Sequence, residues 1–202
     1  LEREGAELVP VSSLEDSRLP DIDALYIGGG FPETQAERLN NNRSMMQSAK
    51  NKIEDGLPVY AECGGLIYLC RSITWEGSKY PMADIFPVEL DLNIKPAGHG
   101  YVIAHVDREN PFFEVGTKIK GHEFHYSSFV SSVEEVESCI RLEKGSGIGD
   151  KRDGIISGNV MATYAHIHAD SINQWAKSMV DAAVKYKERK NEANPENFRI
   201  AI

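Results

Sequence analysis

The chain has 202 residues, a formal net charge of −9 and a pI near 5.2, which suits one domain with a substantial core and would cramp a second. Lys and Arg are nowhere concentrated, which argues against a surface for nucleic acid or an anionic membrane. No run approaches the ~18 apolar residues of a membrane span, and the three cysteines form no CxxC pair, so the expected setting is a soluble protein of a reducing cytoplasm.

In chain order, Leu1-Glu2-Arg3-Glu4-Gly5 reads as the last turn of a helix stopped by Gly5, with a strand over Ala6-Glu7-Leu8-Val9 behind it. A chain rarely begins on the end of a helix, so upstream sequence is expected. Ile22 to Ile27 reads as a strand running into Gly28-Gly29-Gly30, and Pro32 suits the first turn of a helix through Leu39. A second helix, Arg43 to Glu54, ends at Gly56 and delivers the chain to a strand over Val59–Glu62. Strands alternating with helices predict a parallel sheet. The middle of the chain predicts an antiparallel extension, with strands at Gly100–Val106, Lys118–Phe124 and Ile140–Leu142. A further strand from Gly158 to Ala165 leads to His166-Ile167-His168, and Ala169-Asp170 opens a helix from about Ser171 to Lys187. Ile172, Trp175, Ala176, Met179, Val180, Ala183 and Val184 mark its buried face. The tail, residues 191–202, reads as a frayed terminus or an arm for a partner, with Pro195 barring helix continuation.

The stretch PVYAECGGLIYL sets Cys63 between an apolar strand and a helical pattern, with Gly64 and Gly65 directly behind it. A strand that reverses sharply into a helix exposes its turn residue at the carboxyl end of the sheet, and the glycines let the backbone pass without a Cβ clash. N–H groups at the start of that helix would lower the thiol pKa and offer donors to an oxyanion. Cys63 is therefore the candidate nucleophile, whereas Cys70 is expected about two turns into the helix and Cys139 before a strand. The alternative is a structural cysteine packed under a helix. His166 also follows an apolar strand, and parallel strands place their carboxyl ends on one side, so it is the candidate base.

Gly28-Gly29-Gly30 lacks both the G-x-G-x-x-G spacing and a P-loop lysine. It can instead lend an N–H to an oxyanion, with Gly64 supplying the other, or be a plain tight turn. In Gly121-His122-Glu123-Phe124-His125 the histidines are three apart and, on a strand, face opposite ways, so no metal is expected there.

Taken in order, LYIGGGFPE, YAECGGLIYL, GHEFHYSSF and ATYAHIHAD resemble the glutamine amidotransferase domain of the cobyrinic acid a,c-diamide synthase family, from Gly5 to about Lys187. The resemblance implies a three-layer α/β class I glutaminase fold over residues 1–190. It has a mostly parallel central sheet with an antiparallel extension, a C-terminal tail over 191–202, and a first strand missing from the chain. It also implies an N-terminal ATP-dependent synthetase domain that is absent here. Cys63 then matches the nucleophile that forms a glutamyl thioester, and His166 its base. Many class I glutaminases carry a glutamate two residues after that histidine, where this chain has His168, so the third member of the triad stays open. Glutamine would lie between the elbow and His125-Tyr126-Ser127. The implied partners are glutamine, the synthetase domain of the same polypeptide and a corrin- or sirohydrochlorin-type tetrapyrrole, with a homodimer left open. No cofactor is expected in this half, and ATP and Mg²⁺ belong to the other. A non-catalytic glutaminase-like docking module and a different cysteine hydrolase with the same elbow are the rival readings.

Overall fold

The computed structural model describes residues 1–130, 136–168, 172–190 and 198–202. A 3₁₀ turn at Glu2–Glu4 stops at Gly5, which adopts φ 93°, and feeds β1 (Ala6–Val9). After β2 (Ala24–Ile27) comes the glycine loop, and Pro32 begins a 3₁₀ turn that continues as α1 (Ala36–Asn41). Asn42 accepts the Met45 N–H and caps α2 (Arg43–Glu54), as a short polar side chain does at a helix start. Next come β3 (Val59–Glu62), the elbow, and α3 (Gly64–Leu69).

Here the structure corrects one expectation. Helix α3 ends at Leu69, and Cys70 begins β4 (Cys70–Trp75) instead of lying inside the helix. The run Ser72-Ile73-Thr74-Trp75 favours extended backbone, and it pairs with β5 (Ser78–Pro81) and with β6 (Phe86–Leu92). The chain then forms β7 (Gly98–Val106), β8 (Lys118–His125), β9 (Ser127–Phe129) and β10 (Ser138–Lys144). A single strand was expected from Gly158 to Ala165. Instead β11 (Arg152–Ser157) and β12 (Val160–Thr163) pair as a hairpin whose two-residue turn is Gly158-Asn159. Gly158 sits at φ 55°, the left-handed region such a turn requires. The two-residue β13 (His166–Ile167) precedes α4 (Asn173–Arg189); the expected opening of that helix at Ala169-Asp170 and Ser171 lies outside the described residues.

The tail is a further correction, for its end is neither frayed nor an arm. Phe198–Ala201 form β14, which lies between β1 and β2 and pairs in parallel with both. Ile200 and Ala201 are fully buried there, so hydrophobic burial and two ladders hold the segment in place.

The main sheet runs β1-β14-β2-β3-β12-β11-β10-β7-β8-β13, parallel from β1 to β12 and antiparallel beyond, while β5-β4-β6-β9 form a smaller sheet. Period-two alternation divides the core. Leu25, Val59, Ala61, Val160 and Ala162 face α1–α3 and the small sheet, whereas Ala24, Tyr60, Met161 and Ile200 face α4 through Trp175, Met179 and Ala183. The result is three layers, with the carboxyl ends of β2, β3 and β12 at one edge. Among the described residues no helix is long and apolar enough to cross a membrane.

Candidate active site

The strand-to-helix junction leaves Cys63 at φ 47° and ψ −100°, a conformation that costs a residue with a Cβ roughly 1–3 kcal/mol. The neighbouring strand end clamps it: the Cys63 N–H donates to the Thr163 carbonyl at 2.7 Å, and the Ile67 N–H donates to the Cys63 carbonyl at 3.1 Å. Cys63 is 5% exposed, and its thiol lies 3.7 Å from the Phe124 carbonyl, toward which it donates. Glycine is required behind it because a Cβ on Gly64 would stand 2.8 Å from the backbone N and O of Gly30, and one on Gly65 only 2.4 Å from the Ile27 carbonyl. Gly28-Gly29-Gly30 and Gly64 therefore meet directly, and with Phe31, Gln35 and Tyr68 they line a cavity of about 230 Å³.

His166 reaches the same edge from the turn after β12. That turn is held by Asp153, fully buried on β11, which accepts the N–H groups of Tyr164 at 2.9 Å and Ala165 at 3.0 Å. Thr163 Oγ1 donates to the Ala165 carbonyl at 2.7 Å and closes the bend. The His166 ring is then pinned from two sides. Its Cε1 edge lies where a Cβ on Gly29 would stand, within 2.3 Å, and His122 stacks on its face at 4.9 Å between centroids. The hydrogen bond with Cys63 first, and that with Glu62 second, push the His166 pKa up to about 10 against the opposing cost of burial. An imidazole beside the sulfur is the base that a cysteine nucleophile needs.

Glu62 is a member of the site that the sequence reading did not single out. Its Oε2 is 3.5 Å from His166 Nδ1 and accepts the Tyr26 hydroxyl at 3.2 Å; its Oε1 accepts the Ile167 N–H at 3.1 Å and the Tyr60 hydroxyl at 3.4 Å. The available signal was a carboxylate closing an otherwise apolar buried strand, immediately before the nucleophile. His168, named as a candidate member of the triad, is exposed just past the end of β13.

The expected glutamine-facing segment lies beside the elbow, but its side chains are engaged differently. His125 is 4% exposed, bonds to the Ser127 carbonyl at 3.0 Å and stacks on Tyr164 at 3.7 Å. Ser127 Oγ is buried against the Tyr164 hydroxyl at 2.8 Å, so in this conformation that hydroxyl is committed to the core. Tyr126 is half-buried against Phe124. His122 is exposed and His125 buried, as strand alternation requires, so the two imidazoles diverge.

Solved structures share this architecture. A structure titled a glutamine amidotransferase superposes with a TM-score of 0.58 at 20% identity, covering 80% of this chain and 79% of that one. PurLQS from Thermotoga maritima superposes at 0.59 with 19% identity, over 86% and 83% of the two chains. The fold is that of the class I glutamine amidotransferases. Residues 1–174 match the CobB/CobQ-like glutamine amidotransferase domain, and the chain belongs to that family. Its relatives include the cobyrinate a,c-diamide synthases of Magnetococcus marinus, 41% identical over 87% of this chain and 38% of theirs, and of Methanothermobacter thermautotrophicus, 41% identical over 92% and 40%. That of Listeria innocua is 43% identical over 81% and 36%. The chain thus spans about two fifths of the length of these relatives.

Proposed function

We propose that this chain is the glutaminase half of an ATP-dependent a,c-diamide synthase, which takes ammonia from glutamine and amidates acetate side chains of a corrin- or sirohydrochlorin-type tetrapyrrole. The observation that carries the reading is the meeting of Cys63, on its strained elbow, with the His166 imidazole at one edge of the sheet. The Cys63 thiolate attacks the side-chain amide carbon of glutamine. Backbone N–H groups around Gly28–Gly30 and Gly64 receive the oxyanion. As the C–N bond breaks, the His166 imidazolium gives its proton to the departing nitrogen, which leaves as ammonia. The glutamyl thioester is then hydrolysed by water, whose proton returns to His166, and glutamate is released.

Tyr126 and the backbone of the 125–127 segment are the groups this reading sets against the amino-acid end of glutamine. ATP and Mg²⁺ act in the synthetase half of a longer polypeptide, where each acetate is activated before ammonia attacks it, and the cytoplasm is the compartment such chemistry uses. Support comes from membership of the family and from the names of relatives that are about 40% identical. A docking module would need neither the nucleophile nor its base, and both are present.

The test is to incubate the full-length enzyme with a glutamine-analogue diazoketone and map the adduct by mass spectrometry, alongside glutamine-dependent ammonia release. An adduct on Cys63 that glutamine protects against is expected. An unlabelled Cys63, together with no ammonia release when ATP, Mg²⁺ and acceptor are supplied, would overturn the reading.

A further inference from the structure

We infer that Glu62, the residue immediately before the nucleophile, is the acidic positioning residue of the site, holding His166 through Nδ1 and so presenting Nε2 to Cys63. The inference rests on the glutaminase reading for the reaction it serves, although its geometry stands without it.

β3 and β12 are parallel neighbours with Glu62 opposite Thr163, so the carboxylate at the end of β3 lies under the turn that carries His166. Strand alternation sends the Glu62 side chain to the same side as Tyr60, toward α4, while the elbow turns Cys63 into the cleft. One dipeptide therefore approaches the imidazole from two directions, with sulfur and with carboxylate. The side chain of Glu62 is 6% exposed, and a buried carboxylate needs several partners to remain there. It has them in the Tyr26 hydroxyl, the Tyr60 hydroxyl and the Ile167 N–H, at 3.2, 3.4 and 3.1 Å. The Ile167 contact comes from the residue next to His166, so the same carboxylate orients both the backbone and the ring of β13.

Imidazole has two nitrogens with separate tasks: a carboxylate on one fixes the tautomer and stabilises the imidazolium, leaving the other for proton transfer. Glu62 Oε2 at 3.5 Å from Nδ1 occupies the first position. Among the described residues, the ionisable groups that face this pair include Cys63 on the elbow, His122 stacked from β8, and the phenols of Tyr26 and Tyr60. Burial first and the Glu62 charge second hold both phenols well above their ordinary pKa, so they act as neutral donors.

The test follows His166 directly in the full-length enzyme, by ¹³Cε1-histidine NMR titration, together with the pH profile of glutamine hydrolysis. In Cys63→Ala, which removes the sulfur, the His166 midpoint should stay above the ordinary ~6.5. In Cys63→Ala combined with Glu62→Gln it should fall by about one pH unit or more. In otherwise intact enzyme, Glu62→Gln should lower kcat by roughly 10²-fold or more with KM little changed, and should displace the acid or base limb of the pH profile. Glu62→Asp, which keeps the charge on a shorter arm, should recover part of that loss. A Cys63→Ala protein whose His166 titrates at or below ~6.5 would overturn the inference whether or not any Glu62 variant folds. So would a Glu62→Gln enzyme with wild-type kcat and pH profile. Because the titration needs no turnover, failure of the glutaminase reading alone would leave the His166 midpoints as expected.

Discussion

Three thiols in one small domain differ in what surrounds them, and this decides which can react. Burial drives the Cys70 thiol far above its ordinary pKa, and burial followed by the nearby Asp153 charge pushes the Cys139 thiol up to about 12. Both are fully buried, so neither forms thiolate at neutral pH. Cys63 has an imidazole beside it instead. A limited dose of iodoacetamide at neutral pH should therefore label Cys63 first, as read by peptide mapping, and Cys63→Ala should make the folded protein unreactive until denatured. Early modification of Cys70 or Cys139 in the native protein would contradict this. The His166 pKa has a second consequence, with a definite sign. A histidine whose folded pKa is raised to about 10 binds its proton more tightly when folded, so its contribution to stability is complete below the unfolded value near 6.5 and is lost as pH rises through about 10. Melting curves of wild type and His166→Asn between pH 6 and 10 should accordingly converge toward the alkaline end; a constant gap would show that the imidazolium is not stabilised by its neighbours.

At the scale of elements, the glycine loop after β2 and the turn after β12 press on each other through bare backbone. Gly29 itself is exposed, yet a Cβ there would overlap the His166 ring. Gly29→Ala should thus displace the base without opening the core. The expected loss in kcat is on the order of 10²-fold, the effect of about 1 Å of misplacement, with the melting temperature nearly unchanged. A Gly29→Ala enzyme of normal activity would mean that the ring has room to move. On the other side, α3 spans only six residues, so Cys63 relies less on a long helix dipole than on its clamp to Thr163 and on His166.

For the molecule as a whole, the last strand closes the sheet next to the site. β14 lies between β1 and β2, and β2 runs into the glycine loop, so the far end of the chain braces the strand that leads into Gly28-Gly29-Gly30. Ile200→Ala should cost about 2–5 kcal/mol of stability, as truncation of a fully buried isoleucine does. Urea denaturation would register this as a lower midpoint at unchanged slope. A change below ~0.5 kcal/mol would indicate that the strand is held by neither burial nor pairing.

The local signals were strong where one segment decides its own conformation. The span of α2 up to Gly56, the apolar run of β3, the glycines behind Cys63 and Gly5 ending the first turn all follow from backbone preferences within a few residues, and these were legible in the sequence, as were the candidate nucleophile and base. Other features depend on partners distant in the chain. Phe198-Arg199-Ile200-Ala201 is too short and too weakly apolar to announce a strand, and becomes one because β1 and β2 leave a gap lined with hydrogen-bonding groups. Cys70 turns from helix to strand because β6 offers a ladder. Glu62 reads in isolation as one acidic residue at a strand end. Its place beside His166, 104 positions along the chain, exists only because β3 and β12 pair in parallel and their carboxyl ends share an edge. Sequence sets the chemistry each residue can perform, while long-range strand pairing decides which of those chemistries meet.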